Sequence, residues 1–259
     1  MYASNYFEQA ILNLLRGNSI TAPGTVYLGL FLTNPTDTGQ AGNELSYSGY
    51  VRQPITLTAP AASEAGIYVE NANEIGFAES AIAAGTISYA AIFDEQSGGN
   101  MLVYAQLSNP LEVVAGIAPV FRTSSIRWTF SGNISPAMKT AILNVLRGAD
   151  VAGITPWIAL CNGDILASGV EFSGNNYARF RVTFSAPAQQ ESGAAQVKNT
   201  ALALSNIATG SWGNLTHIAI MSAQTEGTIF ATMAVPNPFQ IKNGMAAGFQ
   251  AEALKLSMN

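Results

Sequence analysis

The sequence repeats itself once, and this internal repeat constrains the fold more than any other feature of the chain. Residues 10–17 (AILNLLRG) return almost unchanged as residues 141–148 (AILNVLRG). Further matches follow in the same order: Gly49-Tyr50-Val51-Arg52 with Asn176-Tyr177-Ala178-Arg179, Gly85–Phe93 with Gly213–Met221, and Asn109-Pro110 with Asn237-Pro238. A period this long exceeds that of solenoid repeats and is typical of a duplicated globular domain. We therefore predict two tandem domains, residues 1–131 and 132–259, joined by a short link at residues 131–134.

Each repeat begins with a short amphipathic helix. In the first repeat we expect Asn5 to cap the helix, with Glu8 completing a capping box. In the second repeat we expect Ser135 to be the cap and Pro136 to take the first helical position. A glycine follows the last turn of each helix and is expected to end it. The apolar stripe of the first helix comprises Tyr6, Phe7, Ala10, Ile11, Leu14 and Leu15. We expect each helix to pack on the sheet of its own repeat, with a role as a partner-binding helix as the alternative.

The rest of each repeat has the pattern of short β-strands. Apolar, β-rich runs at residues 25–32 and 87–93 recur at 157–161 and 215–221, and Gly, Pro and Asn separate them from their neighbours. About seven or eight such strands per repeat are typical of an antiparallel β-sandwich, of which the jelly roll is one arrangement. We therefore predict a mainly β protein built from two tandem antiparallel, jelly-roll-like β-sandwich domains, each preceded by its amphipathic helix.

The chain carries few charges, and this limits its partners. Charged residues make up 10% of the sequence and the net charge is −5, so we predict no nucleic-acid partner, which would need a basic surface. No apolar run reaches the ~18 residues of a membrane span, and the N-terminus lacks the basic region of a secretory signal. We expect synthesis in the cytoplasm and no membrane partner. A surface of Asn, Ser, Thr and Gln suits permanent packing against other subunits, because burying these residues costs less than burying charges.

The single histidine and the single cysteine are interpreted as structural residues. His217 falls in a strand that is predicted to be buried, and its repeat partner is Tyr89, so we interpret it as a hydrogen-bonded core or interface residue. Cys161 aligns with Leu30 and is interpreted as a small buried hydrophobe. One histidine and one cysteine exclude a Cys/His metal centre and an intrachain disulfide. There is also no Gly-x-Ser-x-Gly elbow to supply a nucleophile.

The carboxylates do not form a recognisable catalytic pair. Asp94 and Glu95 are adjacent in a predicted turn, and the second repeat has Ser222 and Ala223 at these two positions. Glu44 and Glu171 occupy comparable loops of the two repeats, and we interpret them as solvated loop carboxylates rather than as a glycosidase pair. Asp150 and Asp164 have no recurrent partner.

Two arginines recur beside an aromatic residue. Arg52 and Arg179 occupy matching positions, which indicates a structural pairing shared by the two repeats. The sequence contains no phosphate-binding loop, dinucleotide fingerprint or calcium loop. We therefore predict that the protein is not an enzyme, with no catalytic, metal or cofactor-binding residues and no cofactor.

Five segments of the first repeat resemble a known group of proteins. They are Leu15-Arg16-Gly17, residues 25–37 (TVYLGLFLTNPTD), Gly49–Gln53, Ile92-Phe93-Asp94 and Gly98–Leu102. Together they are similar to tailed-bacteriophage virion structural proteins of the tail fibre or minor structural protein type. The resemblance covers residues 5–131 and is weaker over 136–259, where Pro35-Thr36-Asp37 has no counterpart. It implies a non-enzymatic, β-rich component of the virion, either a capsid decoration protein or a tail fibre or adaptor protein. Its implied partners are copies of itself, as a homo-oligomer expected to be a trimer, and other virion proteins.

Two further functions are alternatives to a role in the virion. A carbohydrate-binding module that recognises a host surface glycan is the alternative, and its candidate sugar-stacking rings are Tyr47, Tyr50, Tyr68, Tyr177 and Trp212. A hydrolase acting on the cell envelope would need a convergent pair of acids, and the sequence pattern provides none.

Overall fold

The computed structural model describes residues 2–39 and 43–258, and the chain is mainly β. The first repeat contains β1 (Tyr2–Ala3), α1 (Asn5–Asn13), a 3-10 turn (Leu14–Arg16), β2 (Val26–Phe31), β3 (Gln53–Ile55), β4 (Ala61–Ser63), β5 (Gly66–Glu70), β6 (Ile75–Gly76), β7 (Gly85–Phe93), β8 (Met101–Val113), β9 (Val120–Phe121) and β10 (Arg127–Phe130). The second repeat contains α2 (Pro136–Val145), β11 (Trp157–Asn162), β12 (Val170–Glu171), β13 (Phe180–Arg181), β14 (Ala188–Gln189), β15 (Ala195–Lys198), β16 (Ala203–Leu204), β17 (Gly213–Met221), β18 (Ile229–Ile241), β19 (Gly248–Phe249) and β20 (Lys255–Met258).

The strands form small antiparallel sheets that match between the repeats. In the first repeat the order is β1-β8-β7-β2-β3 in a five-stranded sheet, β10-β5-β4 in a second sheet and β6-β9 in a third. In the second repeat β12, β11, β17 and β18 form the larger sheet, with β13 also paired to β11, and β14-β15-β20 and β16-β19 form the others. The mainly β prediction is confirmed. Each repeat forms sheets of five, three and two strands rather than the two stacked four-stranded sheets of a jelly roll.

The helix ends follow from local chemistry, with one correction. Ser4, not Asn5, is the N-cap of α1, and its side chain accepts the backbone N–H of Phe7 at 3.2 Å. Ser135 caps α2 in the same way, as predicted, and accepts the N–H of Met138 at 3.1 Å. The hydroxyl of each capping serine also donates to a carbonyl of the adjoining long strand, and this second bond favours Ser4 over its neighbour as the cap. Gly17 adopts φ +83°, the left-handed conformation that ends the helical segment.

Both helices lie between the repeats rather than on one sheet. Helix α1 contacts β8 of its own repeat and β15 of the other, whereas α2 contacts β18 of its own repeat and β5 of the other. Each helix therefore packs on a sheet of its own repeat, as expected, but it also packs on a sheet of the other repeat. Leu12 is fully buried although it lies outside the predicted stripe, while Tyr6 is half exposed, because the buried surface of α1 has to cover two sheets at once.

A single hydrophobic core results from this packing. Its first residue along the chain is Ala3 and its last is Met258. It includes residues of both helices and of the sheets of both repeats. Smaller clusters cover the opposite faces of the larger sheets, around Phe31 and Phe93 in the first repeat and around Cys161 and Met221 in the second. Within the described ranges, no helix is long and apolar enough to cross a membrane.

Candidate functional site

The most elaborate polar cluster of the first repeat consists of Glu44, Tyr50 and Arg52, and we call it the Arg–Glu–Tyr cluster. Arg52 donates through Nε and Nη2 to the two carboxylate oxygens of Glu44, both at 2.8 Å. Tyr50 donates its hydroxyl to Glu44 Oε1 at 3.2 Å and accepts the backbone N–H of Leu30 at 2.9 Å. The remaining guanidinium nitrogen of Arg52 donates to the carbonyl of Gly98 at 2.7 Å. The cluster thereby ties two loops to strand β2.

The second repeat builds the same Arg–Glu–Tyr cluster from Glu171, Tyr177 and Arg179. Arg179 donates to the two oxygens of Glu171 at 2.8 and 2.7 Å. Tyr177 donates to Glu171 Oε1 at 2.9 Å and accepts the N–H of Leu160 at 3.0 Å. Arg179 also donates to the carbonyls of Ala223 and Glu226, in the turn that follows β17, and Glu226 is the counterpart of Gly98. Because every bond of the first cluster has its counterpart, the sequence pattern at these positions encodes a piece of the fold.

The electrostatics of the clusters favour a fixed ion pair. Burial raises the pKa values of Tyr50 and Tyr177, so both hydroxyls keep their protons. The hydrogen bonds that Arg179 donates to Glu171 raise the pKa of Arg179. Glu44 and Glu171 are partly exposed, but each is paired with an arginine, so they are not the freely solvated carboxylates that the sequence pattern suggested. The predicted structural pairing of the arginines is confirmed, and Arg52 also lies 3.3 Å over the ring of Phe93.

His217 and Cys161 face each other across β11 and β17 without forming a reactive pair. Cys161 is fully buried, as predicted, and burial raises the pKa of its thiol to about 12. The strand register places Cys161 at the position of Phe31, one residue beyond the predicted Leu30. His217 is half-buried, and its Nδ1 lies 3.0 Å from the hydroxyl of Thr216. A protonated thiol beside this histidine is a poor nucleophile.

The carboxylates of the predicted turn serve its backbone. Asp94 accepts the backbone N–H of Asn100 at 2.6 Å and its side-chain amide at 2.8 Å, which closes the β7–β8 hairpin. Glu95 is exposed. The adjacent pair therefore divides into a turn-closing residue and a solvated one, and the two carboxylates do not converge on a common point.

The other two aspartates bind backbone groups as well. Asp150 accepts the N–H of Ala22 in the first repeat at 2.8 Å, and Asp164 accepts the N–H of Leu166 within its own turn at 2.9 Å. In residues 2–39 and 43–258, no group of three or more His, Cys, Asp or Glu side chains is placed to hold a metal ion.

The five aromatic rings considered for sugar stacking are packed within the chain. Tyr50 stacks on Phe77 at 5.7 Å, and Tyr177 contacts Trp212 edge to face at 5.2 Å. Arg127 lies 4.1 Å over the ring of Tyr68. The remaining ring, Tyr47, contacts Tyr50 at 5.7 Å and donates its hydroxyl to the carbonyl of Ala78. These rings therefore contribute to the core and its rim.

Sequence reasoning missed an exposed aromatic surface in the first repeat. Tyr2 is 49% exposed and Tyr6 is 50% exposed, and the ring of Tyr2 stacks on that of Tyr104 at 5.2 Å. The hydroxyl of Tyr104 donates to Asp37 at 2.7 Å. In the second repeat the positions of Tyr2 and Tyr6 hold asparagine and alanine. That difference between the repeats is the signal that could have identified the surface.

A pair of buried asparagines was also missed. Asn71 donates its amide to the carbonyls of Asn73 and Arg122, and its carbonyl oxygen accepts the N–H of Ile126. Asn199 makes the equivalent bonds in the second repeat. Both side chains are fully buried. Their equal position in the two repeats was visible in the sequence, but a lone asparagine carries no sign of being buried.

These polar clusters connect loops and strands within each repeat of a duplicated, mainly β fold. The family model described as Podophage GP4 fiber I protein gp80 matches the chain twice, over residues 2–129 and 133–257. The chain therefore belongs to this phage fibre family and carries two tandem copies of its unit. The predicted resemblance to phage virion structural proteins is confirmed. A search of curated proteins found no match.

Proposed function

We propose that this protein is a non-enzymatic structural component of a bacteriophage particle, located in the tail as a fibre or adaptor protein. The observation that carries the proposal is the match of both repeats to a phage fibre family. Membership covers nearly the whole chain, so the function of the family's unit is the function to expect of each repeat. A tail position is favoured over capsid decoration because the family is described as a fibre protein.

The physical character of the chain supports a role in assembly. Charged residues are 10% of the sequence, and the arginines and glutamates of the two Arg–Glu–Tyr clusters are used within the fold. The outer surface therefore consists mainly of neutral polar groups. Burying such groups against another subunit costs less free energy than burying charged groups. We propose other virion proteins and copies of the chain as partners, with a trimer as the homo-oligomer.

Immunogold electron microscopy of particles from a producing lysate tests the proposed location. We expect gold on the tail. Gold over the heads would make the protein a capsid decoration protein instead, and intact particles without gold would refute the virion role. Light scattering on the eluate of a size-exclusion column tests the assembly, and a mass three times that of the chain is expected. A monomer at high concentration would contradict the proposed trimer.

A second candidate function is recognition of a host surface glycan, and the exposed surface of Tyr2 and Tyr6 favours it. Sugar rings stack on exposed aromatic faces, and the second repeat folds without these two rings. The fold that both repeats share therefore does not require Tyr2 and Tyr6. The acidic Asp37, beside Tyr104, adds a hydrogen-bond acceptor near the same surface.

Glycan-array binding with a double variant tests this second function. We expect Tyr2→Ser together with Tyr6→Ser to abolish binding, whereas Tyr27→Ser, a half-buried tyrosine of β2, serves as the matched control. Equal binding by the parent and the double variant would assign glycan recognition to another surface. No binding by the parent protein would remove the glycan hypothesis and leave the structural role intact.

A further inference from the structure

The contacts between the repeats are reciprocal. Helix α1 of the first repeat packs on β15 of the second, and α2 of the second packs on β5 of the first. Strands β5 and β15 occupy the same position in their sheets, since β5 pairs with β10 and β15 with β20 in the same register. Each repeat therefore provides a helix to the other and receives one at an equivalent surface. This is the pattern of an isologous two-fold interface.

The centre of this interface joins two equivalent residues. Ile20 donates its backbone N–H to the carbonyl of Val151 at 2.8 Å, and Val151 donates to Ile20 at 3.0 Å. Both residues lie three positions after the glycine that follows their helix. Because these two backbone hydrogen bonds join matching positions, the approximate two-fold axis lies between Ile20 and Val151.

The hydrogen bonds next to the Ile20–Val151 pair are also reciprocal between the two repeats. Ala22 donates its N–H to the side chain of Asp150 at 2.8 Å, and Gly153 donates its N–H to the hydroxyl of Ser19 at 3.1 Å. Ala22 and Gly153 are matching positions, as are Ser19 and Asp150. A Cβ atom on Gly153 would lie 2.1 Å from the carbonyl carbon of Gly17. The backbones of the two repeats therefore meet in direct contact at this point.

The covalent link takes no comparable part in the interface. Ser131, Gly132 and Asn133 are exposed, whereas the interface buries apolar side chains of both helices in the shared core. Apolar burial and paired backbone bonds act whether or not two segments are covalently joined.

We propose that the contact surface between the two repeats, which we call the seam, is a complete protein-binding interface whose partner is another copy of the same repeat. We also propose that the covalent link between the repeats is dispensable. The protein is on this view a fused dimer, with residues 1–131 and 132–259 as its two subunits. A repeat that stands on a separate chain is therefore expected to bind its complement through the same helix exchange.

Cleavage of the full chain at the link tests the proposal. A protease recognition site is inserted after Ser131, the folded protein is cut, and the product is examined by native size-exclusion chromatography with mass detection. We expect both fragments in one peak with the mass and circular dichroism of the uncut protein. Separation of the fragments, whether they stay folded or not, would overturn the proposal.

A matched pair of glycine variants tests whether the fragments bind through the seam. In the cut protein, Gly153→Ala is expected to raise the concentration at which the fragments dissociate by about tenfold or more, because the new methyl group meets the backbone of Gly17. Gly24→Ala is the control, since a Cβ atom there meets no atom within 4 Å. An equal effect of the two substitutions would place the interface elsewhere and refute the assignment.

Discussion

At one matching position of the two helices, the first repeat has Glu8 and the second has Lys139, and both side chains are buried. Lys139 donates to the carbonyl of Gly132 at 2.7 Å, within its own repeat. Glu8 instead accepts the N–H of Ala195 at 2.9 Å, across the seam. Its other oxygen has no hydrogen-bond partner among the described residues. Burial raises the pKa of Glu8 to about 7, and the nearby charge of Asp37 adds to that rise.

The raised pKa of Glu8 predicts a pH-dependent stability. The folded protein binds a proton at Glu8 more tightly than the unfolded chain does, so this contribution is full below pH 4.5 and is lost as the pH rises through about 7. Between pH 5 and pH 8 the free energy of unfolding is expected to fall by about 2 kcal/mol through this group. Urea unfolding of Glu8→Gln at both pH values should show a smaller fall than the parent protein. Glu64→Gln, at an exposed turn, should behave like the parent, and an unchanged fall in Glu8→Gln would contradict the assignment.

The ion pair of the second Arg–Glu–Tyr cluster predicts a loss of stability when its charge is removed. Glu171→Gln leaves the guanidinium of Arg179, which is 11% exposed, without its counter-charge. We expect a decrease of about 2 kcal/mol in the free energy of unfolding, less than for a fully buried pair because Glu171 is partly solvated. Thermal unfolding should show a lower Tm. Glu191→Gln at an exposed position is the control, and equal Tm values for the two variants would show that the pair contributes nothing.

At the scale of the elements, the buried asparagines fix the ends of the strands that receive the helices. Asn71 directly follows β5 and Asn199 directly follows β15, and each binds the loop that leads into the last strand of its repeat. Each asparagine replaces the backbone bonds that a strand would have made had it continued, so the chain can leave the sheet without orphaned polar groups.

Removal of one of these asparagines is expected to be costly. Asn199→Ala leaves the N–H of Leu254 and the carbonyls of Ala201 and Gln250 without their partner. We expect the free energy of unfolding to fall by about 2 kcal/mol, chiefly because the N–H of the buried Leu254 loses its acceptor and an unpaired buried group costs about 1–3 kcal/mol. Chemical denaturation measures the change. Asn214→Ala at an exposed strand position should change stability little, and a similar loss in both variants would contradict the role of Asn199.

At the scale of the molecule, the first and last strands occupy the positions that flank the link between the repeats. Met258 occupies the position of Phe130 in its sheet, and Ala3 occupies that of Ile134. Three residues separate Phe130 from Ile134, and three would separate Met258 from Ala3 if the last residue were joined to the first. The described residues that flank the link and those at the two ends of the chain therefore occupy equivalent positions.

This equivalence predicts that a circular permutant folds normally. Joining residue 259 directly to residue 1 and opening the chain between Gly132 and Asn133 keeps every residue and every contact between elements. We expect the far-UV circular dichroism of the parent and a Tm within a few degrees, because exposed links tolerate new termini. As a control, a permutant opened within β7, between Ala90 and Ala91, should not fold, since both residues are fully buried. A permutant at the link that fails to fold would show that the two junctions differ.

Much of the fold could be predicted from local pattern. The two copies, the glycine after each helix, the cap at Ser135 and the structural use of Arg52 and Arg179 all follow from residue type and spacing. The cap at Ser4 could not be chosen over Asn5, because both residues suit the position and a contact with β8 decides between them. The ion pairs of Glu44 and Glu171 could not be predicted, because a carboxylate in a loop meets its partner only when the chain has folded.

The sequence by itself determined that the chain is mainly β, that it carries one unit twice and that each unit opens with a short helix, because strand periodicity, turn residues and capping residues act over a few neighbouring positions. The tertiary structure alone decided which sheets the helices cover. Apolar burial has no direction, so a helix face that is buried gives no sign of whose sheet it meets. The partner of Glu8 lies 187 residues further along the chain, and only the packing of the two repeats brings them together.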